Sequence, residues 1–158
     1  GHQKELEQLI YILSRLSRNN TALIGEVCAG KTAIVEGLVQ RIVAGNVPES
    51  IKVKRVIKLD TNALMTGIKN GSQLEERLQM IKGELQQSGG VVFINDLYIL
   101  SGNNKNNSDV IKILKLGLSQ NKFQLIIAMS ADEYSKYIER NHLLRRYFQS
   151  LMVTPDNS

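Results

Sequence analysis

A chain of 158 residues with 42% hydrophobic and 22% charged side chains has the size and balance of one compact domain with a proper core. Its apolar runs fall short of the roughly 18 residues needed to cross a bilayer, and no basic-then-apolar leader opens it, so no membrane partner is expected. The net charge of +5 is spread over several expected helices, only 5% of residues are aromatic and Trp is absent, which argues against nucleic acid, while a single cysteine excludes an internal disulfide and a cysteine-based zinc cluster.

Along the chain, Leu6, Leu9, Ile10, Leu13 and Leu16 form one helical stripe over residues 4–16, which Asn19 and Asn20 break. "TALI" (21–24) predicts a short strand, and after a glycine-rich turn a helix over 31–44 turns Ile34, Val35, Leu38, Val39 and Ile42 inward. "AGNVPES" reads as a loop by its Gly, Asn and Pro. A strand at 55–60, a helix at 72–87 and a buried strand at 91–95 follow; "SGNNKNNSD" (101–109) reads as a solvated loop. A helix near 108–119, a strand at 123–129, short helices over 131–148 and a last strand at 151–153 complete the pattern. Short apolar strands separated by helices imply an α/β fold, a three-layer α/β/α sandwich with a five-stranded, mainly parallel sheet. The chain lacks an initial Met and starts in mid-pattern, so it is expected to be a single subdomain cut from a longer protein.

"GEVCAGKT" (25–32) matches G-x-x-x-x-G-K-[ST] in full and lies between an expected strand and an expected helix, the context that separates a phosphate loop from a chance match. Gly25 and Gly30 let the backbone turn its N–H groups inward, the helix N-terminus adds positive potential, Lys31 meets the outer phosphates and Thr32 can ligate Mg²⁺. The expected nucleotide-binding residues are therefore Gly25, Glu26, Val27, Cys28, Ala29, Gly30, Lys31, Thr32 and Ala33. Cys28 sits in this electropositive loop either as a thiol activated toward oxidants or, the favoured reading, as a small residue that fits there. No N-K-x-D guanine motif is present, since "NNKNN" lacks the Asp. His2 and His142 have no nucleophile or ligand partner nearby in sequence and read as structural.

"NNTALIGEVCAGKTAIVEGLVQRIVAGNVPES", with "LEERL" (74–78), "DEYSKYIE" (132–139) and "LLRRYFQ" (143–149), resembles the Clp-type AAA+ protein unfoldases, the ClpA, ClpB and ClpC group, in their first ATPase module. The resemblance covers nearly the whole chain. It implies a P-loop NTPase fold of AAA+ type, use of ATP and ADP with Mg²⁺, and a homo- or hetero-hexameric ring threading polypeptide substrates through a central pore. A Clp-type protease is a further partner of that group, and a cytoplasmic or organellar matrix setting, the plastid stroma included, fits it. It also implies that the chain stops before the family's helical lid.

Several positions depart from the family. Where it carries Asp then Glu after the third strand, this chain has Asn95 and Asp96. Asn95 keeps an oxygen but loses the charge that helps to hold the metal, so metal binding through Thr32 and Asn95 is expected to be weak. Asp96 is one methylene shorter than Glu, and a displacement of about 1 Å at a reacting group can cost on the order of a hundredfold in rate. The family's polar sensor maps to Ser130, preceded by an unusual Met129; its paired trans-acting arginines map to Arg146 and Tyr147, with Arg145 as an extra base. The pore loop maps to residues 66–72, centred on Gly67, Ile68, Lys69, Asn70 and Gly71, with Asn70 in the place of the aromatic that grips substrate. Two readings result: a nucleotide-binding module with hydrolysis weak or lost, which the combined departures favour, and a fully active ATPase module that drives unfolding.

Overall fold

The computed structural model describes residues 2–26, 29–95 and 107–155. Five strands form one parallel sheet: β1 (Asn20–Ile24), β2 (Val56–Leu59), β3 (Val91–Ile94), β4 (Gln124–Met129) and β5 (Phe148–Met152), in the order β2-β3-β4-β1-β5. The expected α/β sandwich is the observed fold, and its sheet is parallel throughout. Parallel strands need crossovers, and the helices that make them cover both faces.

Alternation along the strands decides which face each side chain serves. Val92 and Ile94 of β3 and Leu125, Ile127 and Met129 of β4 join one core. Against that face lie α4 (Thr61–Met65), α5 (Gly71–Ser88) and α6 (Asn107–Leu114), the last running into a 3₁₀ turn at Lys115–Leu118. Val91, Phe93, Ile126 and Ala128 point the other way. They meet α1 (Gln3–Leu13), α2 (Lys31–Val43) and α3 (Glu49–Lys52). Leu9 of α1 and Leu38 of α2 are fully buried there, each worth about 1.5–3 kcal/mol relative to an exposed side chain. After β4 come the short α7 (Ala131–Tyr134), a π turn at Ser135–Glu139 and α8 (His142–Arg145).

Four expectations need correction. The first helix stops at Leu13, so Leu16 leaves the stripe and is 91% exposed. Val39 lies at the margin of α2's inward face and is exposed, while Ile42 is half-buried. The last strand begins at Phe148, three residues before the expected 151, because its register against Asn20–Ile24 carries pairing back through "FQS". The helix expected near 108 starts at Asn107, inside the stretch expected to be loop; residues 101–106 lie outside the described residues.

Asn19 and Asn20, which the sequence marks only as a break, tie together the base of the sheet. Asn20 is 3% exposed. Its Nδ2 donates to the carbonyls of Gly117 and Tyr147, both at 2.9 Å, and its Oδ1 accepts from Leu125 N at 2.8 Å. One side chain thereby joins the starts of β1, β4 and β5. Gln124 adds bonds from Nε2 to the carbonyls of Leu13 and Asn19, and Lys54 Nζ donates to its Oε1. Burial holds the Lys54 ammonium below the usual lysine range. Replacing Asn20 by Ala leaves buried backbone groups without partners, so Asn20→Ala is expected to cost about 3 kcal/mol, read as a lower urea midpoint with an unchanged slope.

Candidate nucleotide-binding site

The site is built at the C-terminal end of β1. Gly25 leaves the strand with its N–H donating to the Met129 carbonyl at 3.1 Å, and a Cβ on it would meet the Val153 carbonyl oxygen at 2.8 Å. Only glycine fits between those two strand ends. Ala29 N then closes a turn on the Glu26 carbonyl at 3.0 Å, and Gly30 caps α2 in the left-handed region at φ 101°. This 13-residue helix points its N-terminus, and with it the positive end of its dipole, toward the loop, the arrangement that receives phosphate oxygens. Val27 and Cys28 lie outside the described residues.

Lys31 Nζ donates to the Gly25 carbonyl at 2.6 Å and to the Met129 carbonyl at 3.4 Å. The ammonium is therefore held over the loop that it serves, by backbone oxygens from two neighbouring strands. Met129 owes its apolar character to the core, where its side chain is 2% exposed, while its carbonyl faces the site. Thr32, one residue into α2, places its hydroxyl toward β3, and Asn95 Nδ2 donates to Thr32 Oγ1 at 3.3 Å. Ala33 follows on the exposed side of the helix. Asp96 lies outside the described residues.

Thr32 offers the hard oxygen that Mg²⁺ takes. Asn95 faces that oxygen with an uncharged amide, which leaves the hydroxyl its second lone pair and adds no carboxylate beside it. Among the described residues, the pair fits a metal held chiefly by Thr32 and the nucleotide's own phosphates. It does not supply a carboxylate to the ion.

The remaining expected residues fall in three separate places. Ser130 follows β4 directly and is near the loop, but its Oγ accepts from Glu133 N at 3.1 Å while Glu133 Oε1 accepts from Ser130 N at 2.8 Å. That capping box starts α7 and engages the hydroxyl expected to sense phosphate. Arg146 caps α8 just before β5, whose first residue pairs with Asn20 at the far end of β1. The five residues of β1 put about 16 Å between that end and the phosphate loop, so Arg146 does not reach this chain's own site. The loop expected to line a pore connects α4 to α5 beyond edge strand β2, three strand positions or about 14 Å sideways from β1. Within it, Asn70 Oδ1 accepts from Gln73 N at 3.0 Å as the N-cap of α5, and Gly71 belongs to the helix. Ile68 packs on the core below and Lys69 N donates to Gln73 Oε1 at 2.7 Å.

One neighbour of the site is not legible from sequence spacing. His2 lies against the loop, so that a Cβ on Gly30 would meet its Nε2 at 2.4 Å, and its Nδ1 shares a 2.6 Å hydrogen bond with Glu5 Oε2. The packing of α1 on α2 brings them together, which a reading of "GHQKE" alone does not reveal.

A family model described as the SMAX1 nucleotide binding domain matches residues 2–144. The chaperone protein ClpB of Rickettsia felis is 42% identical over 158 residues, covering 98% of this chain and 18% of that protein. The negative regulator of genetic competence ClpC/MecB of Bacillus subtilis is 41% identical over 156 residues, covering 97% and 19%. Among solved structures, the S. cerevisiae Hsp104-ADP complex matches with a TM-score of 0.80 at 35% identity, over 98% of this chain and 22% of that one. The S. cerevisiae Hsp104:casein complex in its extended conformation matches at 0.79 and 34%, over 98% and 27%. The chain thus spans less than a fifth of the length of these two curated relatives. Lys31→Ala removes the ammonium aimed into the loop and is expected to weaken binding of a fluorescent ATP analogue by about tenfold to a hundredfold, measured by equilibrium titration with the fold checked by circular dichroism.

Proposed function

This chain belongs to the SMAX1 nucleotide binding domain family, a Clp-type AAA+ nucleotide-binding region, and we propose that it binds ATP or ADP in a protein-remodelling machine while hydrolysing ATP weakly or not at all. The observation that carries this reading is the contact of Asn95 Nδ2 with Thr32 Oγ1. Phosphate binding needs the loop's N–H groups and Lys31, all of which are retained. Hydrolysis needs more: a charge that organises the metal and a carboxylate placed to polarise the attacking water. Asn95 supplies no charge, and Asp96 carries its carboxylate on a shorter arm than the Glu of the family. Mg²⁺, when bound, would neutralise phosphate charge from Thr32. Ser130 Oγ accepts from Glu133 N in its capping box, which orients the hydroxyl and leaves its O–H to donate to a phosphate oxygen.

Arg146 extends the reading to assembly. A guanidinium at the base of the sheet serves a nucleotide only on an adjoining copy, which supports a homo- or hetero-hexameric ring in which each chain completes its neighbour's site. Asn20 acts on it as a positioning residue, since its backbone N–H and side-chain amide both hold the carbonyl of Tyr147. The loop at 66–72 faces polypeptide substrate, but Asn70 caps α5 and leaves Ile68 and Lys69 as the groups that touch it. A Clp-type protease as partner, and a cytoplasmic or organellar matrix setting, belong to the same proposal.

Two experiments check it. Nucleotide affinity is expected to change less than about threefold on adding Mg²⁺, and Asn95→Asp is expected to restore a metal dependence of about tenfold or more; a strong Mg²⁺ requirement in the unaltered chain would count against the reading. The paired change Asn95→Asp with Asp96→Glu, made in the full-length protein, is expected to raise turnover by about a hundredfold or more in a phosphate-release assay. Equal rates before and after would favour the alternative, an active ATPase module that drives unfolding.

A further inference from the structure

Beside the loop at 66–72 lies an open groove of about 420 Å³, lined by Ile68, Arg77, Met80 and Ile81 and rimmed by Glu76 and Glu84. Met80 is 70% exposed and lies with Ile68 and Ile81 in the groove's apolar lining, on a helix whose other face supplies Leu74, Leu78 and Leu85 to the core.

The charges around the groove are unevenly committed. Arg77 Nη1 donates to the carbonyls of Leu64 at 2.7 Å and Thr66 at 2.6 Å, so its head is turned into the wall that fixes α4 and the loop onto α5. Glu76 and Glu84 make no ion pair or hydrogen bond among the described residues. An acidic rim therefore stands on a chain of net charge +5.

Spacing then selects an occupant. Glu76, Met80 and Glu84 recur every four residues, about 6 Å apart along the α5 axis. In an extended chain, alternate side chains point to one face and repeat every 6.6 Å or so. We propose that this face docks an extended polypeptide segment of the pattern basic-x-apolar-x-basic, its apolar side chain seated on Ile68, Met80 and Ile81 and its two cations on Glu76 and Glu84. Methionine suits such a seat because its flexible thioether conforms to different apolar side chains. The groove names the class of substrate that the adjoining loop receives, and so rests on that loop handling polypeptide.

Fluorescence anisotropy of short labelled peptides on the unaltered chain tests this. A peptide with Lys-x-Leu-x-Lys is expected to bind with an affinity that falls with added salt, and to lose about tenfold when its Leu becomes Ser or when both its Lys become Glu. Glu76→Lys with Glu84→Lys, both at exposed positions, is expected to weaken that peptide about tenfold and to restore binding of the Glu-x-Leu-x-Glu peptide. Nucleotide binding, titrated on the same samples, is expected to stay unchanged. Equal binding of all peptides by the charge-reversed chain, or no binding up to about 1 mM, overturns the groove while leaving the nucleotide reading intact. Peptide binding that follows Lys69→Ala and ignores the helix face overturns the groove but retains the loop as the polypeptide contact.

Discussion

β1, an interior strand next to the β5 edge of the sheet, anchors both ends of the chain's chemistry. β1 is hydrogen-bonded to β4 on one side and β5 on the other, and all five of its residues are buried. A strand held on both edges and both faces cannot shift register without moving its whole apolar set. Each of its ends is therefore a fixed point, and the chemistry of the chain is attached to those two points. At one end Gly25 turns the backbone into the phosphate loop; at the other Asn20 collects the starts of β4 and β5. The distance between phosphate chemistry and Arg146 is set by the length of this one strand.

Asn95 shows how one atom alters a site without altering the fold. An Asp in its place would present oxygen on both branches and repel nothing from a cation. The amide presents a donor, and in this structure that donor has found the Thr32 hydroxyl. The bond holds the end of β3 against the start of α2, and so contributes to order beside the loop. On the function proposed above, the exchange is of electrostatic stabilisation of a bound ion for a neutral contact within the protein. The fold-determining features, the strand burial and the glycine turn, are indifferent to this exchange.

Most of the architecture was legible in the sequence because period and composition agreed. Apolar runs such as "VVFIN" and "FQLIIAM" mark strands buried on both faces, and the stripe in α1 marks its core side as far as Leu13. The strand-to-helix turn at 25–32 was legible because its glycines stand at fixed spacing between an apolar run and an amphipathic one, and the described part of it, with Gly25 after β1 and Gly30 capping α2, keeps that order. Boundaries failed where tertiary contacts took over: β5 starts early because β1 offers it partners, and Leu16 is exposed because the helix has already ended. The site was less legible where function depends on who else competes for an atom. Sequence singles out Ser130 and Asn70 but does not reveal that each caps a helix, Ser130 Oγ accepting from Glu133 N and Asn70 Oδ1 from Gln73 N. Nor does it bring His2 to Gly30, which depends on how α1 lies on α2.

The opposed placement of the phosphate loop and Arg146 has a genetic consequence. In a head-to-tail assembly, substitutions at the two ends of β1 act on different active sites. On the function proposed above, a lesion at Asn95 would stay with the chain that bears it, whereas the guanidinium of that same chain would serve the adjoining pocket. Catalytic defects would then separate into self-regarding and neighbour-regarding kinds. A copy without turnover of its own would still complete a competent neighbour, and mixed assemblies would retain activity absent from a uniform ring of such copies.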